Sequence, residues 1–390
     1  MPSPIEAPEA TEAPVVPNNY NAMASNYGAA RGYGSIAPSM LGDFFLGTSF
    51  GSSNLSMSYS EPGGTFSGPG VPYNNHGMGL ASPVTSHVFK QSDNESPWPR
   101  TRIILSTNYF DRIDGSTGVT RQIFGFEKVS TSQRFSFGMR LPYYVASPGV
   151  TNVGGVPVNT FGGDGGPGST GSTQSSLGDL ITTFKYAVIF DPVRANVLSL
   201  GVAVTAPTGP ATIANVPPLF QVDGVQHTGS IQPYMAFYKS LGRPRQGLFT
   251  QGFLASDTPF YYRDSTYVYA DLGFGYIIRR PSNRWITAVV PMLEVHGDFA
   301  TNKSQRAVIN TAQTSANLLQ ATSGMFNTMN GTVSYADQIN ITSGVTLVLN
   351  QRSTISLAGV APCNMPHAFN YELQLLWNTY FGPGLPPMFR

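Results

Sequence analysis

The chain has 390 residues and a mass of 41.8 kDa, and only 11% of it is charged, against about 25% in an average soluble protein. Its 22 basic and 21 acidic residues leave a net charge of +1, too balanced for binding along a polyanion, so nucleic acid drops out as a partner class. The single cysteine, Cys363, excludes an intrachain disulfide and a Cys-based zinc site, and the lack of any apolar run of about 18 residues excludes helical membrane spans.

Residues 1–38 are rich in Pro and Gly and are expected to be disordered. Met1 to Pro17 shows neither the basic start nor the apolar centre of a secretory signal. Residues 39–100 have little periodicity and too few apolar side chains for a core of their own, so they are expected to serve as a plug or a periplasmic segment. The apolar island Ser39 to Gly47 (SMLGDFFLG) holds Asp43, Phe44, Phe45 and Leu46, the expected plug residues, because its aromatic rings must be buried against something else.

From Thr101 the chain breaks into segments that alternate in polarity and are separated by Gly, Pro, Asn and Asp, with almost no helical period. The predicted elements, about twelve strands, run in numbers 101–110, 119–128, 133–141, 178–189, 195–206, 229–239, 246–256, 266–279, 284–296, 336–349, 353–361 and 368–381. In the last of them Tyr371, Leu373, Leu375 and Trp377 share one face while Glu372, Gln374 and Asn378 share the other. The third sets Phe135, Phe137, Met139 and Leu141 against Arg134, Ser136, Gly138 and Arg140. The eighth and tenth alternate in the same way; the ninth is ambiguous.

Such alternation also suits a soluble sandwich. The connections decide between the two, since those after the second, fourth, sixth, eighth and tenth strands are short and most others are long and rich in Gly, Ser or Pro. That register is expected of a transmembrane antiparallel up-and-down β-barrel with short periplasmic turns and long extracellular loops. The fold class read from the sequence is therefore all-β, with the barrel over 101–381 and a tail over 382–390.

Several blocks then carry a resemblance: SMLGDFF from Ser39, FKQSDNESPWPRTR from Phe89, TNYFD from Thr107, VTRQIFGFEK from Val119, FGMRLP from Phe137, LGDLITTFK from Leu177 and LGVAVTAPTG from Leu200. In these the chain resembles outer-membrane β-barrel proteins of the planctomycete type and, more loosely, the aromatic-compound outer-membrane transporter superfamily. The resemblance spans about the first half of the chain. It implies a bacterial outer-membrane location, with envelope transport or a pore.

The polar faces place Arg121, Glu127, Arg134, Arg140, Asp179, Lys185, Asp271 and Glu372 toward the lumen, joined by Glu294. They either pair with one another, as buried charges must, or set the selectivity of a pore. His227, His296 and His367 fall in or near predicted extracellular loops with no metal-binding spacing, no Ser–His constellation suggests catalysis, and the glycine-rich stretch Gly162 to Ser172 lacks the lysine of a phosphate loop. No enzyme, cofactor or metal is expected. The partners expected are outer-membrane lipid, the barrel assembly machinery and a small-molecule solute crossing a narrow lumen, with a structural or adhesive barrel as the alternative.

Overall fold

The computed structural model describes residues 37–43, 89–113, 117–147, 173–209, 228–242, 247–260, 266–280, 284–301, 337–364 and 369–381. It also describes backbone fragments at 50–51, 56–61, 64–67, 150–153, 156–159, 221–223, 304–305, 308–310, 328–330 and 333–335. Twelve long strands form the wall: β1 (Arg102–Ile113), β2 (Thr117–Val129), β3 (Phe135–Ser147), β4 (Leu180–Asp191), β5 (Asn196–Ala206), β6 (Ser230–Ser240), β7 (Gly247–Pro259), β8 (Tyr267–Arg279), β9 (Ile286–Ala300), β10 (Gln338–Leu349), β11 (Ser353–Pro362) and β12 (Tyr371–Tyr380). Each pairs antiparallel with its neighbours in sequence, and the pairing of β12 with β1 closes the sheet into an all-β barrel. Closure removes the unpaired edges that a strand exposed to lipid could not tolerate.

The expected elements are present in the expected order. Strands β3 and β9 run past their anticipated ends at Leu141 and His296, because the alternation continues through Tyr144 and Asp298. The short connections at Gln133, Ala195, Asn350 and Gln351 use positive φ angles. Two successive residues in that region, Asn350 and Gln351, suit the tight two-residue turn whose twist matches a hairpin.

The two faces differ as the membrane requires. Outward side chains such as Leu293, Leu373 and Trp377 are about half exposed (52%, 53% and 48%), whereas Asp271, Glu294, Gln374 and Asn378 beside them are buried inside. So broad an apolar exterior around a polar interior inverts the pattern of a soluble protein and fits a lipid-facing wall. The ambiguity of the ninth strand has a physical cause: β9 carries a bulge near Thr287, and its inner face begins with Ala288, Val290 and Met292 before turning polar at Glu294. Apolar residues on both faces erase the alternation.

The interior is filled by the chain itself. Residues 37–43 and 89–100 lie inside the barrel almost wholly buried, antiparallel to each other, with the Met40 amide donating to the Glu95 carbonyl at 2.8 Å. Ala37 accepts from Arg100 near the start of β1, at the short-turn end, and Asp43 meets Lys90 further in. Between these two passes, 50–51 pairs with 334–335 and 56–58 with 328–330, both in the long connection between β9 and β10. The N-terminal segment thus crosses the lumen, reaches the long-loop end and comes back to begin β1.

Candidate functional site

The site is the contact between the returning pass, Phe89 to Arg100, and the inner wall. A tight double turn shapes this pass: the Asp93 amide donates to the Lys90 carbonyl at 3.1 Å and the Glu95 amide to Ser92 at 3.2 Å, with Asn94 at a φ of 48°. The turn sends Asp93 and Glu95 toward one side of the wall and Lys90 toward the other.

On the first side the wall is mainly basic. Glu95 meets Lys185 of β4 at 2.5 Å, Arg102 of β1 at 3.1 Å, and Arg140 of β3. Glu127 of β2 shares the same cations, 2.8 Å from Arg102 and 2.9 Å from Lys185, and accepts a hydrogen bond from Ser136. Asp93 pairs with Arg121 of β2 at 2.6 Å. Lys185, Arg102 and Arg140 thus set three positive charges around one buried carboxylate. The pocket among Glu95, Glu127, Arg140 and Lys185 measures only about 10 Å³, near the smallest space that holds one water.

On the opposite side the wall is acidic. The Lys90 ammonium lies 2.8 Å from Asp271 of β8, 2.7 Å from Asp298 of β9 and 2.6 Å from Asp43 of the outgoing pass, with the Tyr269 ring centre at 5.5 Å. Burial disfavours its charge, and the three carboxylates offset that cost by surrounding it. His296 stands 3.0 Å from Asp271 and 3.4 Å from Glu294. Glu294 in turn accepts from the amides of Leu41 and Gly42 at 3.0 and 2.9 Å. A glycine is required at that point: Gly42 has a φ of 76°, and a Cβ there would sit 2.6 Å from the Asp93 backbone.

At the short-turn end the contact changes character. Trp98, Leu41 and Ala37 pack with Val197, Tyr238, Phe249, Ile277, Val290 and Val348 into one apolar cluster. Trp98 meets Tyr238 and Phe190 edge to face, with ring centres 6.2 and 5.4 Å apart. Smaller apolar contacts sit further in, around Met40 and Phe89.

Of the residues expected to face the lumen, Arg121, Glu127, Arg140, Lys185, Asp271, Glu294 and Glu372 have buried side chains on the inner face. Asp179 is buried just ahead of β4 and accepts from the Gly209 amide. Arg134 is a correction: it is exposed in the turn before β3, where alternation has not yet begun. His296 is another, since it lies buried on the inner face of β9 and not in a loop. Together with Asp43 and Asp271 it offers ligand atoms within 4.8 Å of one another, a spacing able to hold a metal ion, among the same carboxylates that Lys90 contacts. Asp43 is inside the barrel; Phe44, Phe45, Leu46, His227 and His367 lie outside the described residues. Lys90, Asp93, Glu95 and Trp98 were not anticipated as site residues. Their signal was present, because Phe89 to Arg102 carries Lys90, Asp93, Glu95, Arg100 and Arg102 in a chain only 11% charged.

No family model and no curated protein matches the sequence. Among solved structures the chain is similar to an outer membrane channel from Pseudomonas putida F1, with 12% identity and a TM-score of 0.44 over 76% of this chain and 100% of that one. It is similar also to the KdgM porin, at 7% identity and a TM-score of 0.36 over 72% and 99% of the two chains. The beta domain of the Bordetella autotransporter Brka gives 11% and 0.39 over 73% and 100%. At these scores the fold rests on the closed ladder of twelve paired strands in this chain, and the neighbours' activities stay with the neighbours.

Proposed function

We propose that this chain is a barrel of the bacterial outer membrane that forms a gated pathway for small solutes, closed in this conformation by its own N-terminal segment. The observation that carries the reading is the nature of the inner contact: beyond the apolar cluster at the short-turn end, plug and wall meet mainly through charges, each of which water also satisfies once they part. An apolar filler loses its stabilisation when water enters; an ionic one exchanges its partners for water. Outer-membrane lipid around the apolar exterior and the barrel assembly machinery are the partners this implies, and the likeness of the first half to planctomycete-type outer-membrane barrel proteins supports the same setting. No catalytic role is proposed.

The filled lumen favours one rival, a structural barrel that displays its long loops and passes nothing. Single-channel recording of the full chain in a planar bilayer separates the two. Low conductance in the wild type that rises in Glu95→Gln is expected of a gated pathway. Zero conductance in both would establish the structural barrel.

A further inference from the structure

The acidic side of the wall has more capacity for positive charge than the plug uses. Lys90 brings one ammonium to Asp43, Asp271 and Asp298, with Glu294 close by and His296 between them. Asp271 Oδ2 and both carboxylate oxygens of Asp298, all buried, have no hydrogen-bond partner, although Asp298 Oδ1 lies 2.7 Å from the Lys90 ammonium. Gln338, directly across the β9–β10 ladder from Asp298 and 1% exposed, leaves both its amide oxygen and its amide nitrogen unpartnered. Buried polar atoms are rarely left in this state. Asp271, Asp298, Tyr269 and Gln338 belong to the wall, so they stay in place when the plug moves, and they sit in the half of the barrel nearer the long loops.

We infer that this acidic side of the wall is a binding station for solutes bearing a primary ammonium group, and that Lys90 is its tethered competitor. The inference rests on the gated-pathway reading. Two carboxylates supply the charge, the Tyr269 face supplies a surface that attracts cations, and the three N–H donors of an ammonium match several acceptors at once. A free ammonium solute entering from the long-loop side displaces the Lys90 side chain by offering the same contacts.

The test uses the full chain carrying Lys90→Met, which keeps an unbranched side chain one atom shorter and removes its charge. This variant is expected to conduct, and n-butylammonium chloride is expected to block it at concentrations at least tenfold lower than tetramethylammonium chloride, which has no N–H. Adding Asp271→Asn and Asp298→Asn should abolish that difference. Equal block by the two ions would overturn the inference and leave the gated pathway standing, whereas absence of conductance in the wild type, Lys90→Met and Glu95→Gln alike would overturn both. Should Lys90→Met not assemble, refolding of Lys90→Ala takes its place. A folding yield restored by n-butylammonium and not by tetramethylammonium supports the station, and no restoration by either overturns it.

Discussion

The plug is held by different physics at its two ends. Near the short turns, Trp98, Leu41 and Ala37 are locked into an apolar cluster with the wall. Further in, Lys90, Asp93 and Glu95 are held by charges sorted into a basic side and an acidic side. Apolar contact is favourable only while water is kept out, so it makes a permanent anchor. Buried ion pairs recover in attraction about what they lose in desolvation, so the same pairs cost little to exchange for hydrated charges. The difference makes the short-turn end a hinge and the inner end a latch.

The largest effect is expected from breaking the hinge. Removing a buried tryptophan costs about 3–5 kcal/mol, and Trp98 is 2% exposed with two aromatic neighbours. Trp98→Ala should therefore lower the stability of the folded barrel by that amount, read as a shift in the urea midpoint of its heat-modifiable gel band. An unchanged midpoint would mean that the apolar end is not the anchor.

Breaking the latch should open the barrel more than it unfolds it. In Glu95→Gln the cations Arg102, Arg140 and Lys185 lose their central partner, a loss worth about 3–5 kcal/mol if they stayed buried. They need not stay buried: the inner part of the plug can leave and water can enter. The melting shift is therefore expected to be smaller than for Trp98→Ala while conductance rises. A melting shift equal to that of Trp98→Ala with no conductance would erase the distinction between the two ends.

Acid should work the latch in the wild type. Protonation removes the Glu95 charge that Lys185, Arg102 and Arg140 hold, so the latch is expected to loosen as pH falls below the ordinary glutamate value of about 4.3. Conductance is expected to increase over that acid window in the wild type. In Glu95→Gln this part of the pH dependence should vanish, and an identical profile in both would assign the acid response to other carboxylates.

Much of this barrel was legible in the sequence, and the reasons are local. Strands such as β12 alternate Leu373 and Leu375 with Gln374 at a period that only one face-to-face environment explains, and register follows from it. The plug was not legible in the same way. Lys90 finds its partners at Asp271 and Asp298, and Asp43 meets Asn340, nearly 300 residues away in sequence; no spacing rule links such residues. The aperiodic stretch Phe89 to Arg100 was read as lacking a core because its core is the inside of the barrel. Arg134 was misplaced for a simpler reason, since a period of two extrapolates past the end of a strand without notice.

Direction across the membrane is the next point of comparison, since the hinge must face the short-turn side. Thr301 lies just past the end of β9, where the long connection begins, and Ser132 lies in the turn between β2 and β3; both are exposed. In a Cys363→Ser background, a membrane-impermeant maleimide added to intact cells should label Thr301→Cys and spare Ser132→Cys. Reversed labelling would put the anchored end outside and turn the pathway around.

The smallest effect is expected from a charge pair that shares the hinge end but not its burial. Asp191 at the end of β4 and Arg194 in the short turn after it lie 4.0 Å apart, with side chains 35% and 81% exposed. Water screens this pair and both side chains lose freedom to form it, so such pairs contribute about 0–1 kcal/mol. Arg194→Ala should leave the melting midpoint, the conductance and its acid response where they were. If it opened the barrel as Glu95→Gln is expected to, charge near the short turns rather than charge inside the lumen would control the plug, and the latch would have to be moved from Glu95 to the rim.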